Sequence, residues 1–219
     1  MMDQGHISTA RRVAIVGGAL SRRDAPYHDP GWDIWAFSSL KVHTPRITRW
    51  FELHALDDLR QQLRRETRYR RSFHNYMEFL SRLPCPVYMQ RAHPFIPRSV
   101  PYPLQQALDA FGRCFTSTAS YLIALAILEG YDTIGLWGIS LRAPTVYARQ
   151  RPAVEYLLGV ARQRGIEVRL PPGSTLRIPE RPVLVPTAVL YGYDWRSPGA
   201  WWRRGITGVR RRRRVRKGA

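Results

Sequence analysis

The chain has 219 residues, 44% of them hydrophobic, which supports a packed core and excludes wholesale disorder. Its formal net charge is +19 and its pI about 11.1, so its expected partners are polyanions. That charge is uneven: from Arg196 onward there are ten basic residues and no acidic one, leaving 25 basic against 16 acidic residues, a net of +9, in residues 1–195. Only Lys41 and Lys217 are lysine, so the arginine excess is open to a purely compositional origin as well as a phosphate-binding one.

Two cysteines, Cys85 and Cys114, are too few for a disulfide framework and suit a reducing cytoplasm. The first residues lack the apolar stretch of a signal peptide. The longest apolar run, 121–128, is far short of the roughly 20 residues that a spanning helix needs.

In chain order, Val13–Val16 predicts a buried first strand that stops at Gly17 and Gly18. Residues 19–31, with Pro26, Pro30 and Gly31, predict a loop or a short broken helix. Asp33–Phe37 predicts a second strand ending in Ser38 and Ser39. Ile47–Leu53 predicts a third, ending at His54. Leu56–Leu83 keeps helical spacing throughout. Cys85–Met89 predicts an edge strand because of Pro86, and the four prolines of 90–103 predict an extended loop. Leu104–Phe111 predicts one or two helical turns. Thr116 and Ser117 can cap a helix over Thr118–Leu128 that Gly130 ends. Thr133–Trp137 predicts a strand ending at Gly138, Pro152 a helix start for Ala153–Gln163, and Ile166–Leu170 a further strand. Strand, helix and strand at these lengths form a right-handed βαβ unit.

The fold class is therefore α/β, a Rossmann-like three-layer sandwich with a mainly parallel sheet and a basic C-terminal tail. Residues 11–174 are expected to form the domain and 175–195 an extension packed on it. Residues 196–219 are expected to be an Arg-rich, flexible tail.

In open parallel sheets, ligands bind beyond the carboxyl ends of the strands. That rule selects Gly17, Gly18, Ser21, Ser38, Thr116, Ser117, Gly138 and Ser140 as nucleotide-binding candidates. Glu52 and His54 lie two apart after an apolar strand and project to one face. His54 is the best-placed general base, with a polar strand-end histidine as the alternative. His93 is a second candidate. Tyr147, Gln150, Arg151 and Glu155 surround the helix start at Pro152 and could hold phosphate or substrate. Arg151 is equally readable as a surface arginine. Asp57 and Asp58 read as a helix-dipole pair. No acid ends the second strand, which disfavours NAD or FAD, and neither a P-loop nor a zinc motif is present. No metal site and no tightly bound cofactor are expected.

Trp201, Trp202, Arg203, Arg204, Arg210, Arg211, Arg212, Arg213, Arg214, Arg216 and Lys217 combine stacking rings with phosphate contacts. They are candidates for binding DNA or RNA.

Several blocks resemble a family of phage and prophage proteins. They are RRVAIVGGALSRRDAPYHDPGWDIWAF, PRITRWFELH, PVYM, YPL, FTSTASYLIALAILEGYDTIGLWGISL, YARQRPAVEYLLGVARQRGIEVRLPPGS and LYGYD, in that order across residues 11–194. More distantly, the helix–strand block ending in Gly138-Ile139-Ser140 is similar to bacterial sialyltransferase-like enzymes and to archaeal-type hydroxymethylpterin pyrophosphokinases. The resemblance implies a Rossmann-like sheet that holds a nucleotide, with Gly17, Gly18 and Ser21 approaching it and Thr116 and Ser117 nearby. Ser140 stands where the family's usual Asp would be, and the first turn reads GGALS rather than G-x-x-P-S. Acids to hold Mg²⁺ around ATP are scarce at the strand ends, so metal-free glycosyl transfer from a nucleotide sugar is the implied activity. The alternatives are a nucleic-acid-binding protein working through its tail, and an interaction protein with a degenerate site.

Overall fold

A computed structural model describes residues 10–37, 44–65, 73–141 and 146–194, with 61–65 and 146–147 described by their backbone. Among these residues seven strands form one sheet: β1 (Arg12–Val16), β2 (Trp32–Phe37), β3 (Arg49–Glu52), β4 (Val87–Met89), β5 (Ser99–Pro101), β6 (Thr133–Trp137) and β7 (Glu167–Arg169). Their spatial order is β5-β4-β3-β2-β1-β6-β7, and every pairing is parallel. The helices are α1 (Leu56–Arg65), α2 (Phe73–Ser81), α3 (Leu104–Phe111), α4 (Thr118–Leu128) and α5 (Arg151–Gln163). The α/β three-layer class read from the sequence is the observed one.

The alternation of strand residues explains the layers. Val13, Ile15, Trp35 and Phe51 face the side covered by α3, α4 and α5. Ala14, Val16 and Ile34 face Ala25, Tyr27 and Trp32 on the other side. Beside them Ala36 and Trp50 pack under Leu59 of α1 and Tyr76, Met77 and Leu80 of α2. Both faces of the sheet are thus covered, as a parallel sheet requires.

Helix α4 has no charged residue and is buried on every side up to Ile127. Its start is fixed by a reciprocal cap, Ser117 Oγ accepting from the Ser120 N–H and Ser120 Oγ accepting from the Ser117 N–H, both at 3.3 Å. Each Leu or Ile it buries stabilises the fold by about 1.5–3 kcal/mol relative to an exposed side chain. The site therefore rests on a capped helix buried on every side up to Ile127.

Two expectations need correction. The strand after Pro86 is not at the edge: Pro86 precedes β4, leaves its amides free to pair, and offers its own carbonyl to the Trp50 N–H at 2.9 Å. The edge is β5, inside the Pro-rich stretch expected to be only a loop, and Pro101 sits at its end. The helical pattern read over 56–83 is carried by α1 and α2, and residues 66–72 between them lie outside the described residues. No helix among the described residues is long and apolar enough to cross a membrane.

Residues 171–194 run as a strap without helix or strand. Leu176 and Leu190 are buried, and the Tyr191 N–H donates to the Phe115 carbonyl at 2.9 Å. Asp194 closes the turn by accepting from the Leu190 N–H and from Arg113, both at 2.8 Å.

Candidate functional site

From β1 the chain builds outward through β2 and β3 to β5, then returns over the sheet through α4 to lay β6 on the other side of β1. The loops after β1 and β6 therefore diverge at a topological switch point, where such sheets form their ligand crevice. A cleft of about 430 Å³ lies there, lined by Gly18, Ala19, Ser117, Thr118, Gly138 and Ser140, and on its far wall by His54, Gln150 and Tyr191. Phe37, Ile139 and Leu141 give it an apolar side.

The two loops are locked to each other. The Gly17 N–H donates to the Trp137 carbonyl and the Ala19 N–H to the Gly138 carbonyl, both at 2.8 Å, and the Gly138 N–H donates to Ser21 Oγ at 3.0 Å. A Cβ on Gly17 would meet the Gly138 oxygen at 2.5 Å, and one on Gly138, whose φ is +67°, would meet the Gly17 oxygen at 2.4 Å. These glycines let two backbones touch. Of the expected nucleotide ligands in this region, Gly17 and Ser21 are thus engaged in holding the loops, while Gly18, Gly138 and Ser140 line the cleft.

The first turn of α4 opens on the same space. Ser117 caps the Ser120 N–H, and no described residue accepts from the N–H groups of Thr118 or Ala119, or from that of Gly18 across the cleft. Free helix-start amides carry partial positive charge and suit an anionic oxygen. Gln150, itself buried, lines the cleft with an amide that bonds to no other described residue. Thr116 Oγ1 turns away to the Gln150 carbonyl at 3.4 Å.

Opposite lies a charged pair. Glu52 ends β3 fully buried, and His54 follows it, also buried. Glu52 Oε1 accepts from the His54 N–H at 3.1 Å and contacts His54 Nδ1 at 2.5 Å. Glu52 Oε2 accepts from the Tyr76 hydroxyl at 2.6 Å. Burial alone would raise the Glu52 pKa and lower that of His54. The charge each places beside the other, with these hydrogen bonds, overcomes burial, so Glu52 lies below the usual carboxylate range and His54 above the usual imidazole value. Asp58, in the first turn of α1, adds negative potential at His54. With Nδ1 committed to Glu52, the ring presents Nε2 toward the cleft, where Tyr191 Oη lies at 2.8 Å. The arrangement is that of a base oriented by a buried acid.

Other candidates sit apart from this centre. Arg151 donates to Thr175 Oγ1 at 2.6 Å, and its Nε lies 3.7 Å from Glu155, which in turn accepts from the Arg177 N–H. Tyr147 lies in the single turn Val146–Gln150. His93 accepts from the Phe95 N–H at 3.2 Å, beside β5. Ser38 and the tail candidates from Trp201 to Lys217 lie outside the described residues. Among the described residues no group of three or more His, Cys, Asp or Glu is placed to hold a metal.

Tyr76 and Tyr191 went unselected by sequence reasoning. Nothing near Tyr76 in the chain signals its contact with Glu52. For Tyr191 the Tyr-Gly-Tyr-Asp cluster was a signal: Gly192, at φ +77°, lets the strap press on the Leu53 carbonyl, where a Cβ would approach to 2.2 Å.

No protein-family model matches the chain, and no curated protein matches it. Solved structures of similar fold include the sialyltransferase CstII from Campylobacter jejuni in complex with the substrate analogue CMP-3FNeuAc. That chain is 12% identical, with a TM-score of 0.47 over 73% of this chain and 79% of that one. The same enzyme with cytidine-5'-monophosphate gives 15% identity and a TM-score of 0.48, covering 75% and 81%. The sialyltransferase CST-II with a trisaccharide acceptor and CMP gives 14% and 0.44, covering 75% and 82%. At such identities the likeness is one of fold.

Proposed function

We propose that the protein is a transferase that binds a nucleotide sugar at the switch-point cleft and passes the sugar to an acceptor hydroxyl without a metal. The observation that carries this reading is the Glu52-oriented His54 facing the same cleft as the open amides of α4. The Thr118, Ala119 and Gly18 amides would hold the phosphate and stabilise the charge that grows on it as the glycosidic bond breaks. Phe37, Ile139 and Leu141 offer apolar surface to a base or sugar ring. His54 would take the proton of the attacking hydroxyl, and Glu52 would stabilise the imidazolium that forms. The distant resemblance of the helix–strand block ending in Gly138-Ile139-Ser140 to sialyltransferase-like enzymes implies the same chemistry, and the phage and prophage resemblance of residues 11–194 suggests a host cell as its setting.

Calorimetry with CMP, UDP, GDP and their sugars tests this directly. Binding of at least one, weakened by added free nucleotide, is expected; no binding of any at millimolar concentration would sink the reading.

A second reading concerns the tail. Its ten basic residues and tryptophan pair favour sequence-independent binding of nucleic acid. A salt titration of DNA binding by the full chain and by residues 1–195 separates the parts. Equal affinity in both would remove the tail as the binding element.

A further inference from the structure

We infer that Tyr191 is a catalytic proton relay, standing between His54 and the acceptor hydroxyl. This rests on the transferase reading of the same cleft. Tyr191 Oη lies 2.8 Å from His54 Nε2 and is itself part of the cleft wall. An acceptor entering the cleft therefore meets the tyrosine hydroxyl on the path to the base.

The backbone beneath Tyr191 is pinned from three directions. Its N–H donates to Phe115, its carbonyl accepts from Tyr121 Oη at 3.0 Å, and the next residue is pressed on Leu53. The side-chain amide of Gln90 bridges the Leu53 and Gly192 carbonyls, tying the end of β3 to the strap. His54 and Tyr191 therefore belong to one rigid assembly drawn from opposite parts of the chain. Swinging the hydroxyl aside needs a side-chain rotation against the neighbouring His54 ring, whose centroid is 5.3 Å away. Passing a proton through it needs no movement of heavy atoms.

The step balances. The acceptor oxygen forms its bond to the anomeric carbon as the bond from that carbon to the phosphate oxygen breaks, and the electron pair leaves with the phosphate. The acceptor O–H proton moves to Tyr191 Oη while the tyrosine's own proton moves to His54 Nε2. Tyr191 ends as a neutral phenol and His54 as an imidazolium paired with Glu52. The neutral nitrogen that accepted from tyrosine becomes a donor to it, so the same contact serves both states.

Tyr191→Phe keeps the ring and every backbone bond and removes only the relay atom. Two readouts test the inference. The first is the ¹⁵N shift of His54 in the free protein. Tyr191→Phe is expected to move Nε2 and leave Nδ1 in place; an unmoved Nε2 overturns the inference, whatever the protein catalyses. The second is transfer in mixtures of light and heavy water. Two protons moving together bow the plot of rate against deuterium fraction for the wild type. Tyr191→Phe should straighten it, lower kcat about 10- to 100-fold and leave KM for the donor in place.

A straight wild-type plot, or unchanged kcat in Tyr191→Phe, overturns the relay. Tyr121→Phe loosens the strap without touching His54 and should keep the bowed plot; if it too straightens, Tyr191 is acting through the strap alone. Absence of transfer from every donor would count against the transferase reading instead, and the Nε2 shift would then decide whether Tyr191 is the base's proton partner.

Discussion

Strand β3 carries a charged network at each end, and the two differ in what lies beside them. At its start Arg49 bonds Glu129 at 2.6 Å and the Tyr88 hydroxyl at 3.1 Å, and lies 4.6 Å from the centre of the Trp35 ring. At its far end Glu52, His54, Tyr76 and Tyr191 are linked as closely. The lower network is closed on itself: Arg49, Glu129 and Tyr88 answer one another, and none of them lines the switch-point cleft. The upper network turns one ring nitrogen and one hydroxyl toward a cleft that also receives free helix amides. A buried charge is thus no mark of function by itself. Polar groups gathered around shared space are the better mark.

The largest expected effect breaks the upper network. His54→Ala should lower transfer about 10²- to 10⁴-fold, as loss of a general base does, while nucleotide binding measured by calorimetry stays within about twofold. Loss of binding along with rate would make His54 a ligand contact rather than a base.

The pH dependence follows from the pair. Glu52 raises the His54 pKa above its ordinary 6.5, and a base works only when unprotonated, so kcat/KM should rise with pH through an inflection above that value. Glu52→Gln should move the inflection down and lower the plateau. Stability runs the other way. His54 contributes fully below 6.5 and loses its contribution as pH rises through its elevated folded value. Glu52, ordinarily 4.5, contributes fully above that and loses its contribution as pH falls through its depressed folded value. The pair therefore stabilises most between those two ordinary values and catalyses best above them. Thermal melts and rates against pH should peak apart, and Glu52→Gln should flatten the melting curve.

Next comes the junction that both networks leave alone. Gly138→Ala adds a methyl group against the Gly17 carbonyl at a positive φ, and should cost at least about 2 kcal/mol in urea unfolding. A neutral result would mean that the loops are not zipped as described. Arg49→Ala should follow, at about 1–2 kcal/mol, from its charged hydrogen bond and its ring contact. Nucleotide affinity should not change, because the lower network is remote from the cleft.

Much of this was legible in the sequence where the signal is local. Strands β1, β2 and β6, helix α4 with its Ser117 cap, and the cleft-lining Gly18, Gly138, Ser140 and His54 follow from apolar runs and the residues that end them. What escaped depends on contacts distant in sequence. Tyr76 reaches Glu52 across 24 residues and Tyr191 reaches His54 across 137. No spacing rule encodes either. Strand β5 escaped because its three residues sit among prolines and gain their structure from pairing with β4. Arg151 carried the right charge beside a helix start, yet its nearest partners, Thr175 and Glu155, are set by the strap's path and by its own helix.

The smallest effect gives the sharpest contrast, because it compares two glutamines of equal chemistry. Gln90 spends its amide on the Leu53 and Gly192 carbonyls, and so holds the strap to the end of β3. Gln150 is buried against the cleft, and its side-chain amide bonds to no other described residue. Replacing each with leucine keeps the volume roughly constant and removes only polar capacity. Gln90→Leu leaves two carbonyls without their donor, so it should cost about 1–2 kcal/mol of stability. It should also slow transfer by loosening Tyr191. Gln150→Leu removes no internal bond, so its melting temperature should hold or rise slightly. Its nucleotide affinity should fall about fivefold, the worth of one hydrogen bond near 1 kcal/mol. If Gln150→Leu instead destabilises the fold and leaves affinity intact, its amide serves the protein rather than a ligand, and the upper network is as closed as the lower one.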